Sequence, residues 1–184
     1  MNDYEALCYR RFLDGDEQAF DELMNALFFK LVFFVDSYVR DRHTAEDIAV
    51  DVFADLVLYR HRYNFKSSLK SYLFMRGRCR AIDCLRRRKI LSFVELEEAE
   101  ALADDGKTPE ELILTDERKR AVHAALASLP EEQRTAIHLV YFEEMSYKEA
   151  ATVLKKTVKQ VDNLLYRAKT ALRALLGEDG ELPV

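Results

Sequence analysis

The chain has 184 residues, 49% of them hydrophobic and 33% charged, with 5 Gly, 3 Pro and a net charge of −5. This composition excludes wholesale disorder, collagen-like and low-complexity classes and a turn-rich all-β fold, and it favours long helices. The charge is unevenly spread: residues 1–90 carry 16 basic and 14 acidic side chains, residues 91–118 carry 2 and 10, and residues 119–184 carry 10 and 9.

Taken in chain order, a short first helix is expected to end at Gly15. Asp16 caps a second helix whose apolar positions Phe20, Leu23, Leu27, Leu31, Phe34 and Tyr38 follow the helical repeat. Thr44-Ala45-Glu46-Asp47 has the form of a capping box opening the next helix. Its apolar face is Ile48, Val52, Phe53, Leu56 and Tyr59, with Asp47, Asp51 and Asp55 forming an acidic stripe beside it. Ser68 caps a third long helix over residues 69–89, with Leu69, Tyr72, Leu73, Ile82 and Leu85 toward the core. Arg76, Arg80, Asp83 and Arg87 share one stripe of that helix. Gly77 inside it costs up to about 1 kcal/mol and points to a close backbone approach or a local bend.

From residue 91 to 118 the helical pattern weakens, and Gly106-Lys107-Thr108-Pro109 breaks any helix. This is an acidic linker, partly helical at its start. Beyond it, Leu129-Pro130-Glu131-Glu132 suits a helix start. Ser146-Tyr147-Lys148-Glu149 and Thr157-Val158-Lys159-Gln160 are two more capping boxes, eleven residues apart. They leave room for one short helix and a tight turn. The helix opened at Thr157 shows an amphipathic face of Val161, Leu164, Leu165, Ala168, Leu172 and Leu175. Short helix, turn and longer helix make a helix-turn-helix layout.

In that layout the first residues of the second helix meet base edges. Here they are Lys156, Thr157, Lys159, Gln160 and Asn163; Arg167, Lys169 and Arg173 lie further along, and Arg134 on the preceding helix can clamp phosphate. The competing account is a plain helical hairpin with a solvated polar face, and Asp162 speaks for it. Residues 60–89 hold 11 basic side chains against the single acid Asp83, a patch of the kind that meets phosphates. Tyr63, Phe65, Tyr72 and Phe74 are interleaved with it, as platforms for unstacked bases or as core. Arg86-Arg87-Arg88-Lys89 repel one another without an anionic partner. The acidic stripe with Glu46 is a docking face for a basic partner or a solvated face.

Catalysis finds little support. His43, His61, His123 and His138 lack metal-ligand spacing, the 3 cysteines contain no Cys-x-x-Cys pair, and the glycines form no phosphate loop. No cofactor, metal or catalytic residue is expected. The odd cysteine count suits a reduced compartment. Met1-Asn2-Asp3-Tyr4-Glu5 lacks the order of a signal peptide, and the most apolar run, residues 27–35, contains Lys30 and is far short of the ~20 residues of a membrane span. The expected setting is the cytoplasm.

Three passages resemble bacterial RNA polymerase sigma factors of the extracytoplasmic-function (ECF) class of the sigma-70 family. The first is Thr44-Ala45-Glu46-Asp47-Ile48-Ala49-Val50-Asp51-Val52-Phe53. The second is Ser71-Tyr72-Leu73-Phe74 followed by Ala81-Ile82-Asp83-Cys84-Leu85-Arg86-Arg87-Arg88. The third runs from Leu129-Pro130 and Arg134 through Met145-Ser146-Tyr147-Lys148-Glu149-Ala150-Ala151 to Val161 and Arg167-Ala168-Lys169. The resemblance implies an all-α chain of two small helical domains: residues 1–91 as sigma region 2, 92–117 as an acidic linker, 118–176 as the region 4 helix-turn-helix and 177–184 as a tail.

It also implies roles. Glu46, Asp47, Val50, Asp51, Phe53 and Leu56 would dock on core RNA polymerase, at the β′ clamp helices, with the β subunit also in contact. Lys66, Lys70, Arg76, Arg78, Cys79, Arg80, Asp83, Arg86, Arg87 and Arg88 would read and open the minus-ten element of promoter DNA. Arg134, Lys156, Thr157, Lys159, Gln160, Asn163 and Arg167 would read the minus-thirty-five element. The linker would thread toward the RNA exit path, and an anti-sigma factor would be a further partner. The chain departs from the family at Val50 (usually Gln), Cys79 (commonly Asn), Arg76 (commonly apolar), Lys155 (frequently Gly) and Asp162 (usually basic). Two other functions stay open on sequence: a stand-alone helix-turn-helix regulator, and a sigma-like protein-interaction adapter that does not read DNA.

Overall fold

Every regular element among the described residues is helical. The computed structural model describes residues 4–95 and 117–176 and divides into two units, Met1–Gly106 and Lys107–Val184. The predicted linker, apart from its first and last few residues, and the predicted tail lie outside the described residues.

The first unit contains α1 (Tyr4–Leu13), α2 (Glu17–Val39), α3 (Arg42–Leu58), a single 3-10 turn (Arg60–Arg62) and α4 (Leu69–Glu95). Gly15, at φ +102, takes the left-handed turn that ends α1. Asp16 then caps α2, its carboxylate accepting from the Ala19 N–H at 3.3 Å. Arg11 fixes the corner by pairing with Asp16 at 2.6 Å and Glu22 at 3.0 Å. Leu23, Leu27, Leu31, Phe34 and Tyr38 are buried as their spacing predicts, and Phe20 is half-buried. The Tyr9 hydroxyl donates to the Leu56 carbonyl at 2.9 Å and ties α1 to the end of α3.

The α2–α3 corner departs from expectation. Thr44 does not cap α3. Asp41 does, accepting from the Thr44 N–H at 3.0 Å, because Arg40 closes α2 in a left-handed conformation at φ 51 and α3 begins at once. Ser68 caps α4 as predicted, its hydroxyl accepting from the Ser71 N–H at 3.3 Å. The helix continues past residue 89 to Glu95. Its buried side is Leu69, Ser71, Leu73, Phe74, Gly77 and Ala81, whereas Tyr72, Ile82 and Leu85 are half-buried. Gly77 is the close approach that its position inside a helix suggests: a Cβ there would stand 2.8 Å from Leu31 Cδ1 and 3.2 Å from Val35 Cγ2. Phe34 and Phe74 rings meet at 4.9 Å, adding about 0.5–1.5 kcal/mol beyond their burial.

The second unit contains α5 (Glu117–Ser128), α6 (Glu131–Ile137) running into a π-helical turn (His138–Phe142), α7 (Tyr147–Leu154) and α8 (Val158–Leu176). Pro130 precedes α6, with Glu131 and Glu132 in its first turn beside the positive end of the helix. The π turn is invisible in the sequence; the Glu143 N–H closes it on the His138 carbonyl at 3.0 Å, with the two side chains 3.6 Å apart. Ser146 and Glu149 form the predicted capping box of α7. Lys155 ends α7 in the left-handed region at φ 55, where glycine carries no side-chain penalty. Val161, Leu165, Ala168 and Leu172 pack α8 inward and Leu164 is half-buried. Leu175, expected on the same face, is exposed, because the apolar stripe outlasts the cover that α8 meets.

Candidate nucleic-acid and docking surfaces

The start of α8 is built by its cap. The Thr157 N–H donates to Gln160 Oε1 at 2.8 Å, and the Gln160 N–H donates to Thr157 Oγ1 at 3.2 Å. Thr157 and the Gln160 carbonyl are therefore engaged in holding the first turn. Lys156 is also engaged, pairing with Glu132 of α6 at 2.8 Å, and Arg134 donates to the Ala127 carbonyl at the end of α5 at 3.3 Å. Lys159, Asn163 and Arg167 are exposed and make no hydrogen bond or ion pair within the described residues. They lie four residues apart on one face, so three predicted readers form one open row of donors. Asp162 is exposed beside them. Tyr166, three residues beyond Asn163, is 72% exposed and outside the apolar repeat.

On α4 the basic side chains divide. Arg76 and Arg80 reach across to the acidic stripe of α3. Arg76 Nη2 and Arg80 Nη2 meet Asp55 Oδ2 at 2.9 and 2.8 Å, and Arg80 Nη1 meets Asp51 Oδ2 at 2.6 Å. Partial burial opposes ionisation of Asp55, but the hydrogen bonds from Arg80 and Arg76 outweigh it and hold the carboxyl below its ordinary value. Burial likewise works against the Arg80 charge, and Asp55 overcomes it, so its pKa is raised. Arg86 pairs with Asp83 at 3.0 Å. Arg88 reaches Asp41 at 3.1 Å and Thr44 Oγ1 at 2.6 Å, at the α2–α3 corner. Thr44 hydrogen-bonding, led by its backbone N–H, and Arg88 together keep Asp41 ionised to lower pH than usual. Lys66 and Arg87 remain exposed with no ion pair among the described residues. Arg78 and Cys79 are half-buried, and Lys70 lies 5.7 Å from the Phe74 ring centre.

The aromatic residues divide too. Phe74 is core. Tyr63 packs against Phe65 at 4.6 Å, Tyr72 at 5.2 Å and Tyr9 at 5.8 Å, and the Arg10 guanidinium sits 4.7 Å from the Phe65 ring centre. Phe65 has φ 58, a conformation that costs a bulky residue about 1–3 kcal/mol. The Tyr63 hydroxyl donates to the Ser67 carbonyl at 2.8 Å and the Asn64 side chain accepts from the Lys66 N–H at 3.1 Å, so the strained loop is held from both sides.

On α3, Asp47, Val50 and Asp51 face solvent, Val50 being 53% exposed, and Glu46 is half-buried against Arg42 at 2.9 Å. Leu58 extends this acidic and apolar face at 72% exposure. Phe53 and Leu56 lie on the opposite side, 3% and 2% exposed, and anchor α3 to the core. No helix among the described residues is long and apolar enough to cross a membrane, and no group of metal-ligating side chains comes together there.

Two family models match the chain: sigma-70 region 2 over residues 30–90 and sigma-70 region 4 over residues 119–172. The chain is 31% identical over 177 residues to an RNA polymerase sigma-H factor of Pseudomonas aeruginosa, with 86% of each chain covered. The chain belongs to the sigma-70 family. Its ECF character follows from further relatives. It is 28% identical over 143 residues to the ECF sigma factor SigM of Bacillus subtilis, covering 77% of this chain and 85% of that one. It is 29% identical over 174 residues to the ECF sigma-E factor of Escherichia coli, covering 86% of both.

Two solved structures share the fold at 22% identity: the sigma factor RpoE of Bartonella quintana in complex with the anti-sigma factor NepR, and CnrH in complex with the cytosolic domain of CnrY. Their TM-scores are 0.64 and 0.69, over 87% and 96% of this chain and 98% and 99% of theirs. This sigma factor is thus a promoter-recognition protein of transcription initiation, in a family of non-catalytic initiation factors, and the stand-alone regulator and the adapter are not favoured.

Proposed function

We propose that this sigma factor carries core RNA polymerase to promoters with the work divided among three helix faces. Asp47 and Val50 of α3 meet the clamp helices of the polymerase, with Glu46 and the Arg80-paired Asp51 at the edge. Phe53 and Leu56 contribute by fixing α3 from beneath. Lys66 and Arg87 meet phosphates around the minus-ten element. Arg76 and Arg80 act through position, because their charges are spent on Asp51 and Asp55. Lys159, Asn163 and Arg167 read the minus-thirty-five element. The observation that carries this reading is that open row of donors on α8, held behind a capped turn in a helix-turn-helix.

The region 2 domain is residues 1–91 and the region 4 domain residues 118–176. Neither lobe needs to bind DNA tightly alone, since tethering both to one polymerase raises the effective concentration of each at its element. The protein works in the cytoplasm, has no catalysis of its own and is held in check by an anti-sigma factor; the similar sigma factor RpoE of Bartonella quintana was solved in complex with one.

Purified bacterial core polymerase, transcribing a genomic fragment library with and without the protein, tests the reading. Discrete start sites are expected only with the protein, and Lys159→Ala is expected to lower their use by about 5- to 150-fold if Lys159 contacts a base. Binding to core with no new starts would overturn promoter reading, and no binding to core would overturn the α3 docking face.

A further inference from the structure

The side chain of Gln160 is oriented before any DNA arrives. The Thr157 N–H, 2.8 Å from it, can be satisfied only by an acceptor, so the side-chain amide has one chemically allowed orientation. Its carbonyl faces back to the helix start and its NH2 faces away. Thr157 Oγ1 stands 3.2 Å from the same Oε1 and gives it a second donor, so both lone pairs of that oxygen are used. The residue is exposed, and its NH2 has no acceptor among the described residues.

A freely rotating glutamine recognises adenine by accepting from N6 and donating to N7 at once. Gln160 has no acceptor left to do so unless the cap opens. Of its neighbours only Asn163, one turn on, has an exposed acceptor on that face, and it stands at a different position along the helix. Lys156 and Lys159 carry only donors, and the carboxylate of Asp162, two residues on, faces a different direction. We propose that Gln160 is a donor-only specificity residue: it favours guanine, whose N7 and O6 both accept, or thymine O4, over cytosine, which presents only an amino donor, and over adenine, which it can meet at N7 alone with the N6 amino group left facing its NH2. The inference rests on α8 as the reader of the minus-thirty-five element.

Gln160→Glu separates the cap from the contact. A glutamate still accepts from the Thr157 N–H, as in the usual capping box, but it has no donor to offer a base. The experiment selects minus-thirty-five sequences from a randomised promoter library with holoenzyme containing the natural protein or Q160E, and measures the thermal unfolding of both full chains. The natural protein is expected to enrich guanine or thymine at one position. Q160E is expected to lose that preference by about 5- to 150-fold and to turn toward adenine or cytosine, whose amino groups a carboxylate accepts. The other positions stay as they were, and the melting temperature holds or rises. Adenine enriched by the natural protein at the position Q160E affects, or identical preferences at every position, would overturn the proposal. A lowered melting temperature would overturn the orientation argument beneath it. A natural protein that enriches no minus-thirty-five base would instead remove α8 as the reader, and this inference with it.

Discussion

Replacing Gly77 by alanine sets two effects of known size against each other. In an open helix interior, Gly→Ala stabilises by about 1 kcal/mol. Here the new Cβ would lie 2.8 Å from Leu31 Cδ1 and 3.2 Å from Val35 Cγ2, on two fully buried side chains with little room to move. Overpacking of this kind costs about 1–3 kcal/mol. With the cost taken near about 2 kcal/mol, Gly77→Ala is expected to destabilise the first unit by about 1 kcal/mol. Leu31→Val removes the offending methyl and alone costs about 1–2 kcal/mol. In that background Gly77→Ala keeps its helical gain and loses most of the clash, so its sign reverses to stabilisation by up to about 1 kcal/mol. The coupling between the sites is then about 2 kcal/mol. Urea denaturation of the four full-length proteins, followed by far-ultraviolet circular dichroism, reads it directly. The same change from Gly77→Ala in both backgrounds would refute the close-approach argument.

Asp55→Asn keeps the shape of the α3–α4 contact and removes the charge that Arg76 and Arg80 share. It is expected to lower the stability of the first unit by about 1–3 kcal/mol at neutral pH, read as a drop in urea midpoint. Because the folded-state pKa of Asp55 is depressed, its contribution is present above the unfolded carboxylate value of about 3.9 and lost as pH falls through the native value. The variant should therefore show a flatter acid limb in a plot of midpoint against pH, and an unchanged limb would count against the network. Lys155→Gly relieves a left-handed residue at φ 55 and should stabilise the second unit by about 0.5–1 kcal/mol. A thermal transition that stays put or falls would show that the turn carries no strain.

Local chemistry made much of the fold legible. Asp16, Ser68, Ser146 with Glu149 and Thr157 with Gln160 each announce a helix start by supplying an acceptor to an orphan N–H, and all four do so in the structure. Thr44 misled because the helix starts earlier, with Asp41 accepting from the N–H of Thr44 itself, and Asp41 was hidden behind an arginine in a conformation that sequence associates with glycine. The site was legible in parts only. The α3 carboxylates and the α4 arginines were each visible as a stripe, but stripes on different helices become partners only through packing. Phe53 and Leu56 stood on the apolar face that the helical repeat marks and are buried there, so the docking role implied for them by resemblance gave way to the one their periodicity announces. The π turn at His138 had no local signature at all, since its hydrogen-bond pattern depends on how α6 meets the rest of its unit.

The α2–α3 corner contains no length of free chain. Arg40 is the C-cap of one helix and Asp41 the N-cap of the next, and Arg88 from α4 clamps that second cap. A corner of this kind cannot act as a hinge. A load applied to the outer face of α3 is not absorbed by slack in the connection, and it passes to α2 and α4 as movement of the whole unit. Lengthening the corner by a single residue would put slack between α2 and α3, while the ion pairs of Asp51 and Asp55 with Arg76 and Arg80 would still tie α3 to α4.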